Sequence, residues 1–342
     1  MKPNRSFVCV LFLFAAVVSL GLPAWADIVR SQNLQLHAGW NAVFLQVAPP
    51  DSEPAVVFAN TSVDVVASFY APSSSAQYVA DPGGDLFKKT GWGVWYAGKR
   101  PDAFLKTLHA INGQQAYLVH TKSDCIWQVT GAVVSPEIRW QPDSFNLVGF
   151  AVTAQGGPTF SQFFAGSKAH AHNRIYRLAN GAWRRVIDPT TETIAAGEAF
   201  WIYCDGGSKY QGPLSVETTV RRGLMVGANA DAVVLRNQAD HPITAALEHV
   251  PSGSNAVPLS IVITAVGSNS TQLQLVSARQ SEGAWTQTLP PLEAGAVMRI
   301  PLEARVQDFT APFQTSLLKI TTDMGTEVWL PVFGTRPDLK DN

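Results

Sequence analysis

Gly39-Trp40-Asn41-Ala42-Val43-Phe44-Leu45-Gln46-Val47 returns 105 residues later as Ser144-Phe145-Asn146-Leu147-Val148-Gly149-Phe150-Ala151-Val152. Each stretch is an aromatic residue, an Asn and an apolar run ending in Val. Later landmarks keep the same order. Phe58 answers Phe163, Phe69-Tyr70 answers Ile175-Tyr176, and Asp81-Pro82 answers Asp188-Pro189. Ala116-Tyr117-Leu118-Val119 answers Ala199-Phe200-Trp201-Ile202, and Gly131 answers Gly212. A shared order of this kind identifies repeated supersecondary units. Residues 36–131 and 140–212 therefore read as two copies of one small module.

Within the first copy, Trp40–Val47 reads as a buried strand. Pro49-Pro50 stops it, and a short helix through Phe58 follows, with Ser52 as N-cap and Pro54 in the first turn. Val63–Tyr70 and Gln77–Val79 read as strands, the latter before the turn cluster Asp81-Pro82-Gly83-Gly84. Tyr117–His120 and Ile126–Val129 close the unit. The second copy repeats the plan with Leu147–Val152, a helix around Thr159–Phe164, then Ile175–Leu178, Trp183–Ile187 and Phe200–Cys204. Asn180-Gly181 between two apolar runs is a two-residue hairpin signal. The offset between copies is 107 at Asp81/Asp188 but 83 at Ala116/Ala199, which assigns the first copy an insertion of 24 residues at about 83–107.

Residues 217–342 change character. Short apolar runs such as Val233–Leu235, Ile243–Leu247, Leu259–Ile263, Leu273–Leu275, Val297–Ile300, Leu317–Ile320 and Val328–Val332 alternate with turn residues. This spacing, without helical periodicity, predicts an immunoglobulin-like sandwich. The fold class expected is mainly β: two related small β-rich modules, 27–136 and 137–216, followed by an Ig-like antiparallel β-sandwich, 217–342.

The first residues read as an export signal. Lys2 and Arg5 precede the apolar run Phe7–Leu20, and Ala24-Trp25-Ala26 forms a small-x-small cleavage site, so that cleavage near Ala26 and a secreted product, periplasmic or extracellular, are expected. The whole chain has 25 Lys+Arg against 26 Asp+Glu. Removing residues 1–26 takes away two cations and no acids, leaving 23 against 26. That balance lacks the clustered basic surface a nucleic-acid partner requires. Cys125 and Cys204 survive cleavage, at non-equivalent places in the two copies; a bond between them would depend on geometry.

The Gly39-Trp40-Asn41 opening and the Gly197-Glu198-Ala199-Phe200-Trp201 close resemble the GWN-type repeat modules of many secreted bacterial proteins. The Pro242-Ile243-Thr244 and Leu330-Pro331-Val332 segments resemble the accessory β-sandwiches of such proteins. The second copy departs from the pattern, with Phe145 for Trp and Ser144 for Gly. The resemblance implies an exported, modular, non-catalytic protein and supplies no active-site residue.

Candidate chemistry is sparse. No Gly-x-Ser-x-Gly elbow, phosphate loop or dinucleotide fingerprint occurs, and no cofactor is expected. His170 and His172 could share one strand face as metal ligands, but their loop context favours no metal site. Asp81, Asp85 and Asp205 offer oxygens to Ca²⁺ without a known loop spacing; turn formation explains them as well. Asp188, Glu192 and Glu198 are the carboxylates that a glycoside-hydrolase reading would use, and solvated loop charges are the plainer account. Trp40, Trp127 and Trp201 read as core, and Trp285 and Trp329 as packed within the sandwich.

The sharper candidate is Gly91-Trp92-Gly93-Val94-Trp95-Tyr96-Ala97-Gly98-Lys99-Arg100. If it is extended, Trp92, Val94 and Tyr96 share one face and Trp95 points the other way. Trp92, Trp95 and Tyr96, flanked by Lys99 and Arg100, then form either a binding surface or part of the module core. Pro101–Leu105 reads as a short helix folding the segment back. The expected function is that of an exported, non-catalytic structural or interaction protein at the bacterial cell surface or beyond it. Its expected partner is another exported or cell-surface protein. Polysaccharide binding through Trp92, Trp95 and Tyr96 is the first alternative, and a carboxylate-dependent hydrolase the second.

Overall fold

The computed structural model describes residues 28–70, 91–135, 137–172, 174–220, 223–252, 255–261, 264–265, 276–277 and 283–336. The export signal, the Gln77–Val79 strand, the Asp81–Gly84 turn and the Leu273–Leu275 run lie outside them. Among the described residues no helix is long and apolar enough to cross a membrane.

The first module begins with β1 (Val29–Leu36), β2 (Gly39–Leu45), β3 (Val47–Ala48), α1 (Pro54–Val57) and β4 (Val63–Phe69). It ends with β5 (Trp92–Tyr96), β6 (Gln115–Thr121) and β7 (Cys125–Val133). β2-β6-β4-β5 form one sheet and β1-β7-β3 another. Leu34, Val43, Phe58, Val66, Trp95, Tyr117 and Trp127 fill the space between them. Helix α1 has Glu53 as its N-cap, one residue after the Ser52 expected, and Pro54 takes the first turn, where its missing N–H costs nothing.

The second module contains β8 (Ser144–Gly149), α2 (Phe160–Phe164), β9 (Ile175–Ala179), β10 (Ala182–Arg185) and β11 (Ala199–Cys204). Thr159 and Gln162 form a capping box on α2. Asn180 and Gly181, both at positive φ, turn β9 into β10, as an Asn-Gly hairpin requires. The sheet order is β8-β11-β9-β10, position for position that of β2-β6-β4-β5. Its outer face is closed by α2, Trp140 and Tyr210.

The ladders define which residues correspond. Phe44 pairs with Ala116 as Gly149 pairs with Ala199, so Phe44 matches Gly149 and Leu118 matches Trp201. Ala67 pairs with Leu118 as Tyr176 pairs with Trp201, which matches Ala67, not Tyr70, to Tyr176. Through β4–β5 and β9–β10, Trp92 then matches Trp183. The offset thus falls from 109 at β4/β9 to 91 at β5/β10 and 83 at β6/β11. Residues 83–107 are therefore not one insertion: β5 has a counterpart in β10, and the extra length lies on either side of it.

The third unit begins at β12 (Leu214–Thr218), within the segment assigned by sequence to the second module. It continues with β13 (Leu224–Val226), β14 (Asp231–Asn237), β15 (Ala245–Pro251), β16 (Leu259–Ile261), β17 (Thr264–Ala265) and β18 (Val276–Ser277). β19 (Trp285–Thr288), β20 (Val297–Ala304), β21 (Phe313–Thr322) and β22 (Glu327–Thr335) complete it. Apart from the small β17-β18 pair, its strands lie in two sheets, β12-β14-β20-β16 and β13-β22-β21-β15-β19. The first has the A-B-E-D order and the second carries the C-F-G strands of an immunoglobulin-like sandwich. Leu224, Val233, Leu247, Trp285, Ile300 and Leu318 lie in the core between them.

Candidate functional site

Strand β5 alternates as the sequence predicts, and both of its faces are covered. Trp95 stacks on Phe58, 5.8 Å between centroids, in the core of the first module. Trp92, on the opposite face, meets Trp201 of the second module at 6.0 Å, and Phe69 lies against both. The two module sheets pack face to face, and Trp92 belongs to the layer between them, with Phe44, Phe145, Ala199 and Trp201. Only 8% of Trp92 and 6% of Trp95 remain accessible. Stacking a sugar ring on either indole would require the core to open, so of the two alternatives Trp92 and Trp95 take the core one. Segments buried on both faces carry apolar residues at successive positions, and Trp-Gly-Val-Trp does so.

The outer end of β5 is polar. The Arg100 guanidinium donates from Nε and Nη2 to the Asp102 carboxylate, both at 2.9 Å, and from Nη1 to Asp64 at 3.1 Å. The bond to Asp102 raises the Arg100 pKa, and the same bond lowers that of Asp102. Arg100 also covers the half-buried Tyr96 ring at 5.2 Å. The other Asp64 oxygen is 2.5 Å from His120 Nδ1, and His120 meets the half-buried Trp40 edge-on at 5.2 Å. Asp64 sits at a β-bulge where β4 shifts register between Val63 and Val65. The cluster braces the sheet end by joining three elements around one buried carboxylate. Lys99 projects into solvent beside it. In the sequence Asp64 stands as a lone charge inside the apolar run Val63-Asp64-Val65-Val66, a local sign of this cluster.

The carboxylates of the hydrolase reading are each engaged. Arg177 grips Glu198 from Nε at 3.1 Å and Nη2 at 2.7 Å, and reaches Glu192 at 3.2 Å. Asp188 accepts from the Thr190 hydroxyl at 2.5 Å, which lowers its pKa. These are turn and sheet-end contacts, with each carboxylate held by protein partners.

The two histidines part company. His170 is buried among Trp140, Phe164 and Tyr210, with Ser167 Oγ 2.6 Å from its Nδ1. Burial pushes its pKa down to about 4. His172 is exposed and pairs with Asp205 at 2.8 Å, and Arg174 holds the other oxygen of the same carboxylate. No group of three or more His, Cys, Asp or Glu suited to a metal occurs among the described residues; Asp81 and Asp85 lie outside them. Cys125 and Cys204 are both free thiols. Burial pushes the Cys204 thiol up to about 11.

Trp329 departs from its expected place. It lies outside the sandwich core, between Arg30 of β1 and Lys319, whose charged groups stand 4.7 and 5.3 Å from its ring. Arg30 also donates to Glu327 at 3.3 Å and to Gln46. On the other side of the same hairpin, Glu327 N–H donates to Ala151 O at 3.0 Å and Thr153 N–H to Gly325 O at 2.9 Å. Both modules thus hold the sandwich at the β21–β22 turn.

No protein-family model and no curated protein matches the chain. Among solved structures it is similar to the YadV chaperone, with a TM-score of 0.24 and 10% identity over 38% of this chain and 55% of that one. A Salmonella enterica SafA pilin in complex with the SafB chaperone matches at 0.24 and 11%, over 37% and 57%. The full-length major pilin SpaD from Corynebacterium diphtheriae matches at 0.18 and 10%, over 89% and 66%. The chain spans little more than half the length of the first two. Likeness this slight carries no argument about activity, and the fold rests on the strand order above.

Proposed function

We propose that this chain is an exported, non-catalytic interaction protein of the bacterial cell surface or extracellular space, which presents a contact surface on a rigid three-part frame. The observation that carries this reading is the turn after β5. Phe104 is 79% and Leu105 45% exposed, side by side in the 3₁₀ turn Ala103–Leu105. Contiguous exposed apolar residues mark contact surfaces, whereas apolar residues exposed singly do not. Ile187 is equally exposed but stands alone between the buried Val186 and the Asp188 turn. Lys99 and Lys106 flank the exposed pair and are themselves exposed, which suits a partner with acidic residues around an apolar centre. The ion pairs at Glu192 and Glu198 also favour a frame over an active site.

The test is capture from the producing cell's envelope and secreted fractions on the chain starting at Asp27, beside Phe104→Asp/Leu105→Asp. A protease-sensitive partner lost in the double variant supports the reading. Capture of a protease-resistant glycan would replace it with sugar binding. Equal capture by both proteins would remove the 103–105 turn as the contact.

A further inference from the structure

The two module sheets meet through corresponding surfaces. Strand β2 packs across β11 and, reciprocally, its counterpart β8 packs across β6, the counterpart of β11; β2 and β8 also touch each other. Phe44 N–H donates to Gly197 O at 2.8 Å. Gln114, the counterpart of Gly197, lines the same groove as Gly149, the counterpart of Phe44. Gln114 and Gly197 also share a positive φ, at 57° and 75°. Two open grooves, of about 620 and 630 Å³, flank the contact. One is lined by Asn146, Val148 and Gln115, the other by their counterparts Asn41, Val43 and Glu198.

At the centre, equivalent positions touch. A Cβ placed on Gly149 would fall 2.2 Å from Phe44 Cβ and 2.3 Å from its Cγ. Gly149 has no positive φ, so its glycine answers to space. The cross-strand neighbours are Ala116 beside Phe44 and Ala199 beside Gly149. One ring thus fills a space bounded by three small residues. A self-complementary patch in which a residue meets its own equivalent is the signature of an isologous, two-fold contact.

We infer that the face between the modules is a two-fold pairing surface whose partner is the other copy of the module, and that Phe44 against Gly149 makes this pairing exclusive. Two first modules joined this way would set Phe44 against Phe44, and two second modules would leave Gly149 facing Gly149 across a void. Other positions are complementary in the same sense. Ala42, Ala67 and Leu118 of the first module correspond to the larger Leu147, Tyr176 and Trp201 of the second. Specificity then comes from penalising the wrong pairs as well as fitting the right one.

The test is an exchange in the full chain. Phe44→Gly leaves a cavity and Gly149→Phe overfills the contact, so each single variant lowers Tm by roughly 10 °C. In Phe44→Gly/Gly149→Phe the ring approaches from the equivalent backbone, and at least half of the summed loss returns. A double variant no better than the sum of its singles overturns the inference. Should either single fail to fold, the milder exchange of Phe69→Leu with Leu178→Phe, also corresponding positions, decides the matter. Recovery there supports the two-fold relation, and additive loss overturns it.

Discussion

Arg30 stands over Trp329, its guanidinium carbon 4.7 Å from the ring centre, although the two residues are about three hundred positions apart. Burial lowers the Arg30 pKa while Glu327 opposes that shift; a guanidinium remains charged throughout. Removing it strands a Glu327 side chain that is only 10% exposed. Arg30→Met should cost about 3 kcal/mol, with Arg30→Met/Glu327→Met recovering most of that in chemical denaturation. A neutral single variant would show that the Arg30–Glu327 pair contributes nothing to holding the sandwich.

The buried indoles give the opposite of a binding phenotype. Trp95→Ala and Trp92→Ala should each lose about 3–5 kcal/mol of stability by removing a core ring. Lys99→Ala, at an exposed position, should stay within about 0.5 kcal/mol. Urea midpoints distinguish the two patterns, and unchanged midpoints for the Trp variants would contradict the packing.

Asn41 and Asn146 bracket the turns before β2 and β8 in the same way. Each side-chain oxygen accepts from a preceding backbone N–H, of His37 and Gln141, and each side-chain nitrogen donates back to the carbonyl of that same residue. Asn146 is the more buried, at 5% exposure. Asn146→Ala should cost about 2 kcal/mol and Asn41→Ala about 1 kcal/mol. Asn146→Asp keeps the acceptor and loses the donor, so it should not restore stability.

His170 makes the fold acid-sensitive. Its folded pKa, about 4, lies below the unfolded value near 6.5. The unfolded chain therefore binds the extra proton first. The stability from neutral His170 is full above about pH 6.5 and is lost as pH falls toward 4. Burial also lowers the His249 pKa, which acts in the same direction. Between pH 7 and 4, His170→Phe should flatten the fall in Tm by roughly 5 °C. An equally steep profile in the variant would rule out this origin.

Much of the architecture was legible because apolar runs and turn residues mark strands locally. Asn180-Gly181 is a hairpin, Thr159 starts α2, and the alternation of Trp92, Val94 and Tyr96 against Trp95 holds. What lay on each face was not legible. Periodicity tells that Trp92 and Trp95 point apart, but only the second module's sheet makes the Trp92 face interior. The same limit moved Trp329 out of the sandwich core, since an aromatic residue against a guanidinium from another unit carries no local mark. Alignment by residue type matches Tyr70 to Tyr176; ladder register matches Ala67 to it, because strand pairing fixes the correspondence whatever the side chains are. The Arg177–Glu192–Glu198 and Asp64–His120–Arg100 groupings depend on contacts between different strands and turns, which spacing does not encode.

The hairpin turn held by Arg30 on one side and Ala151 on the other makes the sandwich a cantilever. It is clamped at Gly325–Trp329, and β22 runs on from the clamp to Thr335 for about 20 Å. A sideways load applied at the Thr335 end would reach the clamp as torque. The Arg30–Glu327 ion pair, the amides bridging to Ala151 and Thr153, and the close packing of Gly166 on Gln238 would share that torque.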